Sequence, residues 1–177
     1  MLFRPVTSKD AEAIAQLHTE SWRDHYRGIF PDSYLDGGIF DDRIQVWTER
    51  FAQPQSNQWG AAAEENGRLV GFAFGYGLED TEWGSYLDNL HVRPDYKGRG
   101  IGKVLMQMTA QWIVETYDRH DFYLWVLEAN HASRAFYERM GGRNAGMKNW
   151  DTPGGGFADC LRIAWKDAKT LLAANNT

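Results

Sequence analysis

Apolar residues first recur at helical spacing from Ala11 to Trp22, with Ile14, Ala15, Leu17 and His18 between them. A short strand, 2–6, precedes this stretch, and Thr7 with Asp10 supplies an N-cap and an acidic first turn. Residues 24–40 carry Gly28, Pro31 and Gly37-Gly38 as breakers and are expected to be irregular. A second amphipathic helix is predicted over 41–52, with Ile44, Trp47 and Phe51 on one side and Pro54 as its stop. Strand patterns over 59–65 and 68–75 flank Asn66-Gly67, a strong hairpin signal. A third strand, 85–92, ends at Arg93-Pro94. Ile101, Val104, Leu105, Met108 and Trp112 mark a long helix, and 122–127 is a compact apolar strand. The next helix, 131–140, has Asn130 as its cap and Gly141-Gly142 as its stop. Strands 143–150 and 157–165 enclose the turn-rich DTPGGG, and the chain from Lys166 is polar or weakly helical, fraying at Asn175-Asn176-Thr177.

The resulting order, β-α-α-β-β-β-α-β-α-β-β, has no internal repeat and no linker. It mixes adjacent antiparallel strands with two strand-helix-strand crossovers, which predicts one α+β domain over residues 1–170 and a polar tail at 171–177. The formal charge of -5 argues against wholesale binding to nucleic acid or anionic membrane. No segment reaches the roughly 18 uninterrupted apolar residues of a membrane span, and the opening MLFRPVTSKD resembles no secretory signal. The lone Cys160 rules out an internal disulfide, leans toward a reducing cytoplasm, and reads as a small apolar strand residue. Histidines 18, 25, 91, 120 and 131 lack metal-ligand spacing, so no metal is expected.

One stretch stands apart. In "DYKGRGIGKVL", Asp95 to Leu105, three glycines and three basic residues lie between a strand and a helix. A helix start presents unpaired N–H groups and the positive end of its dipole, and glycines let the backbone approach an anion closely. Lys97, Arg99 and Lys103 add charge, giving a cradle of pyrophosphate size. A Walker loop fails, because position 97 is Lys and position 104 is Val; the dinucleotide pattern fails, because position 103 is Lys.

The strand-to-helix run Lys97-Gly98-Arg99-Gly100-Ile101-Gly102 resembles the Arg/Gln-x-x-Gly-x-Gly/Ala signature of the GCN5-related N-acetyltransferase superfamily, with Lys at the first position. Downstream, "VLEANHASRAFYERMGG" is similar to that family's second signature, with Gly142 where Phe is common. "RPVTSKDAEAIAQLHTESW" resembles its usual opening strand and helix, so the likeness covers roughly residues 2 to 166. It implies a central, mostly antiparallel sheet with a splayed parallel strand pair, flanked by helices, and acetyl-CoA as cosubstrate. It further implies that the backbone of Leu90, His91 and Val92 pairs with the pantetheine arm. Lys97, Gly98, Arg99, Gly100, Ile101, Gly102 and Lys103 would hold the pyrophosphate, and Asn130, Ser133 and Tyr137 would touch the coenzyme.

Amine acetylation poses two proton problems. An alkyl ammonium of pKa near 10.4 leaves about one molecule in 10³ neutral at pH 7, a penalty of roughly 4–5 kcal/mol. The departing thiolate, in turn, is better protonated as it leaves. Asn130, Ser133, Arg134 and Tyr137 form a polar stripe on one helix. A phenol of pKa about 10 can protonate a thiolate of pKa about 8.5 at an uphill cost of roughly 2 kcal/mol. By resemblance Tyr137 is the general acid, and Asp88, on the strand leading to the pantetheine site, is the base. Glu79, Asp80, Glu82 and Glu128 remain alternatives acting through water. Trp22 and Tyr26, with His25, Phe30 and Tyr34, are expected to form an aromatic acceptor wall. Glu82, with Glu79 and Asp80, would favour a cationic amine. The expected activity is direct acetyl transfer to a primary amine, of a small molecule first, because no cysteine is placed to carry an acyl group. A protein or peptide acetyltransferase and a non-catalytic acyl-CoA sensor are the other readings. The resembled family often dimerises, and eight tryptophans leave room for an apolar interface, so a homodimer stays open.

Overall fold

The protein is described by a computed structural model over residues 1–173; the expected fraying at 175–177 lies outside the described residues. Seven strands form one sheet: β1 (Leu2–Pro5), β2 (Gln58–Glu65), β3 (Arg68–Asp80), β4 (Gly84–Val92), β5 (Phe122–Leu127), β6 (Arg143–Asp151) and β7 (Phe157–Trp165). Their spatial order is β1-β2-β3-β4-β5-β7-β6, antiparallel throughout except between β4 and β5. The helices are α1 (Ala11–His25), α2 (Asp32–Asp36), α3 (Ile39–Ala52), α4 (Ile101–Thr116), α5 (His131–Arg139) and α6 (Lys169–Ala173).

Strand alternation divides the sheet between two cores. Ala61, Ala63, Ala73 and Leu87 face Leu105, Met106 and Ala110 of α4. Ala62, Phe72 and Phe74 face Ile14 and Leu17 of α1 and Trp47 of α3. The hairpin at Asn66-Gly67 forms as expected, with φ of 53° and 75°, the positive pair that a two-residue primed turn demands. Elsewhere burial overrides local punctuation. Within the stretch expected to be irregular, α2 forms between Pro31 and Gly37 because Leu35 is fully buried. Likewise α3 starts at Ile39, two residues early, with Ile39 fully buried. The expected polar tail begins inside α6, whose Leu171 is buried in the core that α4 helps to form.

The departure at Gly142 has a structural counterpart. A Cβ there would meet Ile163 Cγ2 at 2.5 Å and Trp165 Cζ2 at 2.6 Å. Trp165 occupies that space, stacked on Phe122 at 4.5 Å and donating through Nε1 to the Met140 carbonyl at 2.9 Å. Glycine at 142 and tryptophan at 165 are therefore coupled choices of volume.

Two histidines join α1 to the sheet. The rings of His18 and His91 lie 4.6 Å apart; Trp47 Nε1 donates to His18 Nδ1 at 3.2 Å, and Ser21 Oγ meets His91 Nδ1 at 2.8 Å. Burial, then the charges of His25 and Lys97, pulls the His91 pKa down to about 3. Burial, then His91, holds His18 well below its ordinary value. Both are neutral at pH 7.

Unfolding returns these imidazoles to about pKa 6.5, so their contribution is complete above that pH and is lost as pH falls toward 3. Urea unfolding from pH 7 to 5 should show stability falling, and His91→Gln should take up about one proton fewer on unfolding near pH 5. An unchanged slope in the variant would mean that His91 is not held neutral. Gly142→Ala should cost about 1–3 kcal/mol of stability by overpacking against Trp165; a loss below about 0.5 kcal/mol would show the space to be free.

Candidate active site

The site begins where two strands part. β4 and β5 pair only at Ser85–Phe122 and Tyr86–Tyr123, where the two tyrosine rings stack at 5.0 Å. On the other edge of β4, Gly75 opposes Leu87 while Phe74 opposes Asn89, so Asp88 is an extra residue in a β-bulge. A bulge sharpens twist and re-aims side chains, and here it marks the point of divergence. A cavity of about 470 Å³ occupies the opening. Leu90, His91 and Val92 of β4 line one wall, and Trp125 and Val126 of β5 the other.

The glycine stretch closes one end. Gly98 and Gly100 have φ of 78° and 79°, and nothing stands within 4 Å of where their Cβ atoms would be. α4 then starts at Ile101 with no side-chain cap and no acidic residue in its first turn, which leaves its first N–H groups without a side-chain acceptor among the described residues. Lys97, Gly98, Gly100, Ile101, Gly102 and Lys103 all line the cavity. Arg99 does not: its guanidinium lies 4.5 Å over the Tyr96 ring and 3.7 Å from Glu65. Lys97 Nζ donates to His25 Nε2 at 2.8 Å. His25 Nδ1 must carry the ring proton, because it lies 2.6 Å from the Ser21 carbonyl, which can only accept.

α5 carries the other candidate side chains. Asn130 Oδ1 accepts from the Ser133 N–H at 3.1 Å, the cap expected of it, and both residues line the cavity. Two turns on, Tyr137 is 8% exposed and also lines it, its ring edge-on to Trp165. Burial, then Tyr26, pushes its phenol well above the ordinary tyrosine value, so the group stays protonated across the physiological range. Its hydroxyl has no hydrogen-bond partner among the described residues.

Asp88 is the only carboxylate lining the cavity among the described residues. Its Oδ2 meets Arg50 of α3 at 2.7 Å and accepts from Asn89 Nδ2 at 2.6 Å. Tyr26 lines the cavity, but Trp22 and Glu82 do not. The Trp22 indole instead fills the space between α1, α2 and β6, 5.2 Å from Phe30 and 6.4 Å from Trp150, with the Arg43 guanidinium 4.5 Å over it. Glu82 belongs to an exposed turn, its amide donating to Asp80 and its carbonyl accepting from Arg119. Of the expected aromatic wall His25 also lines the cavity while Phe30 and Tyr34 do not, and the structure adds Ser21, Trp125, Phe136 and Arg139. Ser21 and His25 are four apart on α1, and that helical spacing was a usable signal; the exposure of Trp125 to the cavity depends on the strand divergence. No three of His, Cys, Asp and Glu gather as metal ligands, and no helix is long and apolar enough to cross a membrane, among the described residues.

Known proteins share this fold. The solved PaiA N-acetyltransferase of Thermoplasma acidophilum, in complex with coenzyme A, matches with a TM-score of 0.72 at 21% identity, over 93% of this chain and 98% of that one. An uncharacterised N-acetyltransferase of Bacillus subtilis is 24% identical over 171 residues, 95% of this chain and 94% of that protein. A spermidine N(1)-acetyltransferase of T. acidophilum is 26% identical over 159 residues, 87% of this chain and 92% of that protein. The model of the acetyltransferase (GNAT) family matches residues 14–142, a span that starts in α1, contains the strand divergence and the glycine cradle, and ends just past α5. The chain belongs to that family.

Proposed function

We propose that the protein transfers an acetyl group from acetyl-CoA directly to the primary amine of a small molecule. The observation that carries this reading is one continuous cavity. It joins the glycine-lined start of α4 to Tyr137 through the gap between β4 and β5. An elongated thioester laid in that gap would set its pyrophosphate on the N–H groups from Gly98 to Lys103, with Lys97 and Lys103 at the rim. Its amide-bearing arm would pair with the backbone of Leu90, His91 and Val92, which β5 leaves open. Asn130 and Ser133 flank the path toward Tyr137.

Tyr137 supplies the proton side of the chemistry. Its raised pKa makes full ionisation costly, so it acts by donating a hydrogen bond to the sulfur, and the proton moves as the C–S bond breaks. On the acceptor side the carboxylate of Asp88, aimed by the bulge, draws the ammonium and takes its proton directly or through water. Arg50 holds that carboxylate in place from outside the cavity. The amine nitrogen then attacks the carbonyl carbon, its bond to sulfur breaks, and the amide and free thiol leave. Cys160 is buried on β7 and does not line the cavity, which fits direct transfer better than an acyl-enzyme.

Tyr137→Phe should lower kcat about 10²-fold, in the range of a lost general acid, with acetyl-CoA affinity by calorimetry changed less than about threefold. Unchanged turnover across pH would remove Tyr137 from the mechanism. Asp88→Asn should lower the rate most at low pH, where the fewest acceptor amines are free of their proton. A pH-independent ratio of variant to parent rates would exclude Asp88 as the base.

A further inference from the structure

Beside the cavity, on the sheet face opposite α5, stands a shelf of aromatic rings topped by cations. Lys148 of β6 places Nζ 4.2 Å from the centroid of Trp125, which lines the cavity. The Arg162 guanidinium of β7 lies 4.7 Å over the same ring, 4.4 Å over Trp83 and 5.7 Å over Tyr123. Among the described residues neither cation is ion-paired, and Arg162 Nε is buried with no hydrogen-bond partner. The acids nearby are committed elsewhere. Asp88 pairs with Arg50, Asp80 accepts from the amides of Glu82 and Trp83, and Asp159 accepts from Asn149.

We infer that the acceptor is a primary amine carrying an acidic group, a carboxylate or a phosphate ester, which Lys148 and Arg162 receive on the Trp125 shelf while Asp88 and Tyr137 face the amine. This deepens the acetyltransfer reading and rests on it. Aromatic faces hold a cation in place but leave its N–H groups and most of its charge to a ligand. Arg162 offers a planar fork suited to two oxygens, and Lys148 a third donor from the neighbouring strand. Partial burial, together with the charge of Arg162, pulls the Lys148 ammonium below its ordinary pKa, a cost that an arriving anion relieves. A di- or polyamine would bring further positive charge to this shelf. The acidic residues expected to greet such a substrate, Glu79, Asp80 and Glu82, do not line the cavity, whereas Lys148 and Arg162, standing beside it, adjoin it through Trp125.

The test compares matched acceptors in a CoA-release assay: 5-aminopentanoate, its carboxamide and 1,5-diaminopentane, phosphoethanolamine and ethanolamine, together with the α-amino acids and spermidine. The carboxylate or phosphate member should exceed its uncharged match in kcat/KM by about 10- to 100-fold, as for charge-assisted hydrogen bonds, and whether carboxylates or phosphoethanolamine lead distinguishes the two acids. Lys148→Glu, an exposed edge-strand change, should reverse the preference toward the diamine while leaving the KM for acetyl-CoA within twofold. Lys148→Glu/Arg162→Gln should extend the reversal. Preference of the parent protein for the diamine or spermidine overturns the inference, as does an acid-to-diamine ratio unmoved in Lys148→Glu. Intact acetyl-CoA binding with no acidic acceptor turned over also overturns it, leaving the donor site standing. Absence of acetyl-CoA binding overturns the donor reading and this inference together.

Discussion

Everything functional in this fold depends on two strands that begin paired and then separate. After Tyr86 and Tyr123, β4 and β5 exchange no further ladder bonds. The facing backbone groups must find other partners, because a buried amide left unpaired costs free energy comparable to a lost hydrogen bond. The stacked tyrosines hold the closed end, and the bulge at Asp88 twists β4 away. α4 starts on one side of the opening and α5 lies on the other. A sheet interrupted in this way has the shape that the proposed donor requires, an open strand edge for an amide-bearing arm with a helix N-terminus at its mouth.

The chemistry of the slot is set by residues that touch nothing reactive themselves. Tyr137 is aimed by α5, whose start is fixed by the Asn130 cap and whose end packs against Trp165 in the space that Gly142 vacates. Lys97 is held by His25, which is oriented in turn by the Ser21 carbonyl. Asp88 is anchored by Arg50 from a different helix. The Asn130 cap is local, but Trp165, His25 and Arg50 come from segments remote in sequence, so the precision of the site is largely a property of the packed core.

Much of this was readable along the chain. The strand pattern over 122–127 and the Asn130 cap matched the structure residue for residue, because both follow from local patterning and a local hydrogen bond. The glycine cradle was legible for the same reason: positive φ at Gly98 and Gly100 and a bare helix start are encoded within a few residues. The acceptor side was not. Trp22 and Glu82 were expected at the substrate and lie elsewhere. Nothing in local spacing says that an indole will be claimed by Phe30 and Trp150, or that a turn will point its carboxylate to solvent. α2 was missed because the burial of Leu35 outweighs Pro31 and the Gly37-Gly38 pair.

The sequence by itself determined most of the elements, their order, the glycine-lined helix start and the tyrosine on the capped helix, since those depend on dihedral preferences, periodicity and contacts a few residues apart. Only the tertiary structure decided which side chains share the cavity, that Asp88 stands on a bulge opposite an arginine, and that Lys148 and Arg162 rest on Trp125 with no ion-pair partner among the described residues. Those facts are set by the parting of β4 from β5 and by contacts between elements far apart in the chain, such as Arg50 of α3 with Asp88 of β4 and Arg162 of β7 with Trp125 of β5, which no local pattern records.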